Sequence, residues 1–241
     1  MNYFNNRIKL ILTGITLLTS VATISGCLKK QDNIEPTPIA VAYLINAAPK
    51  SDSVKYYVNN KIANDVDELK RIKILRYTSK TQNFGLTEGS HELSLSKYND
   101  TTKYIRKSFS FLRDKFYTIF VVPTETSVEF IQREEFTSVP SAGRMKIRFA
   151  NFLYGSPNLN LHIKNVGNAF QDVEFKEVTS FIELTPNNLN FQIKNSTDTT
   201  QIKLDQTMGT FEAGKSYTII TGGNWNTSSG VAIPAMWKII Y

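Results

Sequence analysis

Few side chains in this chain could do covalent or acid–base chemistry. There is one cysteine, Cys27, and there are two histidines, His91 and His162, in 241 residues. A Ser–His–Asp arrangement would have to use one of those two rings, and a zinc site would have to be built around them. No Gly-x-Ser-x-Gly elbow, His-Glu-x-x-His or phosphate-binding Gly-rich loop is present. His162 lies between Leu161 and Ile163 and so falls on the polar face of its strand. His91 shares parity with Leu93 and Leu95, which makes it a strand-end residue leaning on the core. Asp65, Asp67 and Glu68 gather oxygens but lack the full spacing of a calcium loop, and are read as a solvated charged turn. Glu134-Glu135 reads as a solvated strand end. The expectation is a protein that is not an enzyme, with no catalytic residues, no metal and no cofactor. One segment suits a ligand. Gly222-Gly223-Asn224-Trp225-Asn226-Thr227-Ser228-Ser229-Gly230 sets an indole among amides and hydroxyls. Sugars stack on aromatic rings and bond to amides, so Asn224, Trp225 and Asn226 are candidate ligand residues. The alternative is that Trp225 folds back as a plug over the end of its domain. Trp237 reads as core.

Cys27 closes the run Ile24-Ser25-Gly26-Cys27, after a basic start (Arg7, Lys9) and an apolar stretch from Leu10 to Ile24. That stretch is shorter than the roughly 20 residues of a membrane span and fits the h-region of an export signal. The run resembles the lipobox of bacterial lipoproteins. The resemblance implies a diacylglycerol thioether on Cys27, acyl groups of the palmitate class, and a cut that removes residues 1–26 as a signal peptide. It places the protein in the cell envelope, exported and lipid-anchored, at the outer membrane, with the membrane as a partner. Acylation would leave no thiol for a disulfide. The formal charge of +7 would raise nucleic acid as a partner in a cytosolic protein, and export excludes it here. Residues 27–39 read as a polar tether with Pro36 and Pro38, and Lys29 and Lys30 follow the lipid site.

The rest of the chain contains itself twice. Asn46, Ser51 and Asn60 match Asn151, Ser156 and Asn165 without a gap. Val54, Tyr56 and Val58 alternate with polar neighbours, as do Leu159, Leu161 and Ile163, giving strands with one buried face. Lys115 to Ile119 matches Lys215 to Ile219, and His91 to Leu95 matches Leu189 to Ile193. Each middle strand runs into an Asp-Thr-Thr tip, Asp100-Thr101-Thr102 or Asp198-Thr199-Thr200, and returns as a hairpin. With Asp52-Ser53-Val54, these tips resemble a three-residue signal for O-linked glycosylation in some Gram-negative envelopes, making Ser53, Thr101 and Thr199 candidate sites. Asp and Thr also simply suit turns. The repeats are set at 40–139 and 143–241, with Ser138 to Gly143 as a linker. Asp65 to Lys73 reads as a loop with one helical turn.

Asn46-Ala47-Ala48-Pro49, Val54 and Tyr56-Tyr57-Val58-Asn59-Asn60 resemble the opening of the bacterial domain-of-unknown-function family 4397. Ala213-Gly214-Lys215-Ser216-Tyr217-Thr218-Ile219 is similar to its closing strand. The first repeat departs with Arg113-Asp114-Lys115, and the second with Tyr154-Gly155-Ser156-Pro157. Pattern and resemblance together give an all-β expectation of two tandem immunoglobulin-like β-sandwich domains. The function expected is a non-catalytic binding or structural role, with a glycan or an envelope protein as partner. The alternative is a glycan-binding accessory lipoprotein of an uptake or adhesion system.

Overall fold

The computed structural model describes residues 39–49, 53–63, 74–135, 138–227 and 233–241. The signal segment, Cys27, Lys29, Lys30 and the tether up to Pro38 lie outside them. So do Asp52, the whole of Asp65 to Lys73, and Ser228-Ser229-Gly230.

The first repeat runs through β1 (Ile39–Asn46), β2 (Ser53–Val58), β3 (Lys61–Ile62), β4 (Leu75–Arg76) and β5 (Phe84–Thr87). It continues with β6 (Gly89–Lys97), β7 (Lys103–Phe111), β8 (Phe116–Pro123) and β9 (Val128–Glu135). The second has β10 (Met145–Tyr154), β11 (Leu159–Ile163), β12 (Gly167–Val173), β13 (Ile182–Leu184), β14 (Asn190–Asn195), β15 (Ile202–Thr207), β16 (Ser216–Asn224) and β17 (Ala235–Ile240). Each repeat folds into two sheets, in the orders β5-β1-β8-β9 and β3-β2-β6-β7, then β13-β10-β16-β17 and β12-β11-β14-β15. The described residues are thus all-β and immunoglobulin-like in layering. At the centre of one sheet of each repeat is a parallel pair, β1 with β8 and β10 with β16.

The registers repeat as the sequence does. Val41 faces Phe116 where Lys146 faces Ser216, and Tyr56 faces Leu95 where Leu161 faces Ile193. Tyr117 and Tyr217 each accept a hydrogen bond at the phenol oxygen from the backbone N–H five residues back, Leu112 at 3.0 Å and Glu212 at 2.9 Å. Each is a tyrosine corner that ties a turn to the core. The departure at Arg113-Asp114-Lys115 is chemically conservative, since Asp114 adopts φ 60° where Gly214 adopts 77°. Aspartate tolerates this left-handed turn position better than most residues.

Each sandwich has its own core. Leu44, Tyr56, Leu95, Phe111, Ile119 and Phe130 build the first, and Phe149, Leu161, Ile163, Phe191, Tyr217 and Ile219 the second. A third core lies between them. Tyr43, Ile45, Ala47, Phe120 and Val122 of one repeat pack on Ala150, Phe152, Ile220 and Ile239 of the other, with Phe120 and Phe152 ring centroids 4.8 Å apart. The four sheets therefore stack, and the two inner ones are buried on both faces. Strands buried twice read as near-continuous apolar runs, as in Tyr117 to Val122 and Phe149 to Leu153. Gly222 belongs to this packing. A Cβ there would lie 2.7 Å from the Ala47 carbonyl oxygen and 3.0 Å from the Trp237 ring, so only glycine lets the backbones approach.

The stretch Ser138 to Gly143 is pinned rather than a free linker. Pro140 is buried, Ser141 N–H donates to Glu183 at 3.0 Å, and Lys146 donates to the Ser138 carbonyl at 3.0 Å.

Candidate functional site

Strand directions divide the molecule into two poles. β1 begins at Ile39, where the chain arrives, and its carbonyl accepts from Asp114 N–H at 3.1 Å. β1 and β8 both run from this near pole to a far pole at Asn46 and Pro123. β6 ends at the far pole too, where Tyr98 N–H donates to the Ser53 carbonyl at 3.0 Å. The second sandwich runs the same way. Near-pole Tyr43 meets Tyr241, ring centroids 6.0 Å apart, while far-pole Ala47 meets Gly222.

The candidate residues therefore share the far pole. Thr101 and Thr199 sit on exposed hairpin tips, each after an aspartate, but the turns differ: Asp100 N–H closes on the Lys97 carbonyl at 3.1 Å, whereas Gln201 N–H closes on the Asp198 carbonyl at 3.1 Å. Asp100 accepts from Thr102 N–H at 2.8 Å, and Asp198 accepts from Thr200 N–H at 3.2 Å and its hydroxyl at 2.6 Å. The Thr102 N–H holds the Asp100 carboxyl below its ordinary range. Ser53 is placed differently. It opens β2 half-buried, in a strand and not on a turn tip.

Trp225 is half-buried against the second core, with Lys203 Nζ 5.1 Å from its ring centroid. Its backbone N–H donates to the Tyr154 carbonyl at 2.9 Å, and Asn226 backbone N–H donates to Asn224 Oδ1 at 3.0 Å. The tryptophan thus leans on the end of its domain in the manner of a plug, while Asn226 remains exposed.

At the near end of the seam lies a network the sequence reading missed. Arg148, with a side chain 6% exposed, donates to Glu135 at 2.7 Å, to Tyr241 Oη at 2.6 Å and, through Nε, to Thr218 at 2.8 Å. Its guanidinium lies 4.6 Å from the Phe181 ring centroid. Burial works against its charge, but the Tyr241 hydroxyl and the Glu135 carboxylate outweigh that and hold its pKa above the ordinary value. The Glu135 side chain is 2% exposed and its Oε2 finds no hydrogen-bond partner among the described residues, which corrects the reading of a solvated strand end. Tyr43 occupies the position in the first repeat that Arg148 holds in the second, and accepts from Thr118 at 2.8 Å as Arg148 donates to Thr218. Burial, and next the Tyr241 hydroxyl, push the Tyr43 phenol far up. Equivalent faces of the two repeats thus meet, much as in a two-fold dimer. The available signal was Arg148 itself, a cation between Ile147 and Phe149, where burial demands a partner.

Among the described residues neither histidine is hydrogen-bonded to a carboxylate. Asn59 Nδ2 donates to His91 Nδ1 at 2.9 Å, and His91 Nε2 donates to the Thr87 carbonyl at 2.9 Å, fixing the ring edge-on to Phe111. His162 Nδ1 contacts Asn168 Oδ1 at 2.8 Å. Tyr57, at the position that matches His162 in the first repeat, is buried with its hydroxyl 3.1 Å from Ser96 Oγ. A cleft of about 380 Å³ at the seam is lined by Glu134, Ser138, Lys146, Arg148, Ser180 and Phe181, and its buried charges are already spent on one another. Among the described residues no three His, Cys, Asp or Glu side chains group to hold a metal ion.

Fold and site define a class: an all-β protein of paired sandwiches whose buried polar groups serve packing. The chain belongs to the family described as Domain of unknown function (DUF4397), whose model matches residues 40–162, about half the chain. The match starts in β1 and passes the seam into β11. No curated protein matches the chain. Among solved structures, the chain is similar to "a putative cell adhesion protein from Bacteroides uniformis ATCC 8492", at 8% identity and a TM-score of 0.25, covering 85% of this chain and 98% of that one.

Proposed function

We propose that the protein is a lipid-anchored envelope module with a binding or structural role and no catalysis. It would be held at Cys27 through the tether and would present its far pole outward. The observation that carries this is the division of labour between the poles. Ile39, the first described residue, opens β1 at one end, and the loops that suit recognition lie at the other, which supports an anchor through the preceding segment. The bonded states of His91, Arg148 and Glu135 support a non-catalytic reading, since each is held by structural partners. The two repeats at 40–139 and 143–241 would act as one body through their shared core. In the native host, labelled palmitate should enter the wild type and not Cys27→Ser, which should stay uncut. Labelling of Cys27→Ser would refute the anchor.

A second reading, glycan binding, rests on the half-exposed Trp225 between Asn224 and Asn226. Trp225→Ala should weaken binding to envelope polysaccharide without lowering the melting temperature. A loss of several degrees with no binding in either form would leave Trp225 a plug.

A further inference from the structure

Exposed large apolar side chains occur at both poles, Tyr98, Tyr104 and Ile202 at the far one, and three are clustered at the near pole. Ile39 is 45% exposed, Leu112 52% and Phe116 49%. They are neighbours, because the Ile39 carbonyl accepts from Asp114 N–H at 3.1 Å and Val41 N–H donates to the Lys115 carbonyl at 2.9 Å. Ile62, Val139 and Val166 are exposed at the same pole. The charges rimming the trio are paired with opposite ones, Arg113 3.7 Å from Glu88 and Lys115 2.8 Å from Glu134. A half-exposed Phe between Leu and Ile, ringed by paired charges, suits an apolar interface better than an anion.

The chain outside the described residues says which interface. Ile39 stands twelve residues after Cys27. A fully extended chain spans at most about 3.3–3.6 Å per residue, so the lipid attachment lies within about 40 Å of this patch. A tether of that length makes docking intramolecular, so weak contacts suffice. We propose that Ile39, Leu112 and Phe116 seat the near pole on the lipid bilayer, entering the headgroup region as apolar anchors beside the acylated Cys27. This rests on the lipid-anchor reading above. The membrane contact would then fix which way the body points and hold the far pole away from the surface.

The test uses the mature acylated protein in phosphatidylethanolamine/phosphatidylglycerol vesicles. Because the thioether consumes the sole thiol, Leu112→Cys and, separately, Thr101→Cys each accept one nitroxide. Both positions are exposed, so neither label disturbs a core. The label at 112 should be reached by oxygen in preference to a water-soluble nickel complex, and the label at 101 the reverse. The contrast should survive high salt, because the contact is apolar. Flotation with the vesicles while 112 is as open to nickel as 101 overturns the docking alone. Failure to float removes the anchor and the docking with it. Dipolar broadening between 112 labels that persists in detergent would show a second copy on the patch, and would also overturn the proposal.

Discussion

Replacing Arg148 by alanine should loosen the joint between the repeats more than it harms either core. Arg148 lies under Tyr241 and Phe181 and carries the contact seen at Glu135. Removing it leaves a carboxylate 2% exposed whose other oxygen already lacks a partner. Breaking a buried pair from one side costs about 3–5 kcal/mol. That is a large share of the roughly 5–15 kcal/mol that holds a native protein together. With a urea slope of about 2 kcal/mol per molar, the midpoint should fall by roughly 1.5–2.5 M. Trp237, half-buried in the seam, and far-UV circular dichroism give two probes. They should coincide in the wild type. In Arg148→Ala the tryptophan transition should come first, as the seam opens before the sandwiches melt. The double variant Arg148→Met/Glu135→Leu should recover most of the loss, because a buried ion pair exchanged for apolar groups is often neutral. An Arg148→Ala midpoint within about 0.3 M of wild type would refute the buried network, since exposed changes stay within about 0.5 kcal/mol.

Gly222→Ala should destabilise by about 1–3 kcal/mol, read by calorimetry, because its methyl group meets the Ala47 carbonyl and the Trp237 ring at the seam. Stability should also fall with pH below about 4. The Ser141 N–H holds the Glu183 carboxyl below its ordinary range, and Gln192 and Asn190 do the same for Asp205. A carboxylate lowered in the folded state contributes above its unfolded pKa and loses that contribution as pH falls through the folded value. Glu183→Gln should flatten part of this slope in urea titrations. The intact mass of protein from the native host should show whether Thr101 and Thr199 are modified. A mass equal to chain plus lipid would exclude O-glycans at both tips and at Ser53.

The repeat was legible because the residues that fix strand register recur. Asn46 and Asn151 each turn back on the backbone two residues ahead, at Ala48 and Leu153, and Tyr117 and Tyr217 close equivalent corners. The hairpin tips followed from Asp-Thr-Thr for the same reason. The parallel central pairs were not legible, since parallel and antiparallel partners ask for the same side chains at positions such as Ile45 and Phe120. The seam was half-written. Tyr43-Leu44-Ile45 and Phe149-Ala150 break the alternation of a one-sided strand, but an apolar run does not name the surface that covers its second face. Glu135 was misread for a related reason. Its neighbour Glu134 is solvated and paired to Lys115, and only folding brings Arg148 to the other side. Trp225 shows the reverse limit: its loop was legible, while its lean onto the second core depends on tertiary packing.

The two sandwiches and the core between them form one body. Differential scanning calorimetry of the mature protein reads whether that body melts as a unit. The shared core predicts a single transition whose calorimetric and van't Hoff enthalpies agree, as they do for one cooperative unit. Two separable transitions, or a calorimetric enthalpy about twice the van't Hoff value, would contradict it and leave two independent domains joined at Ser138 to Gly143.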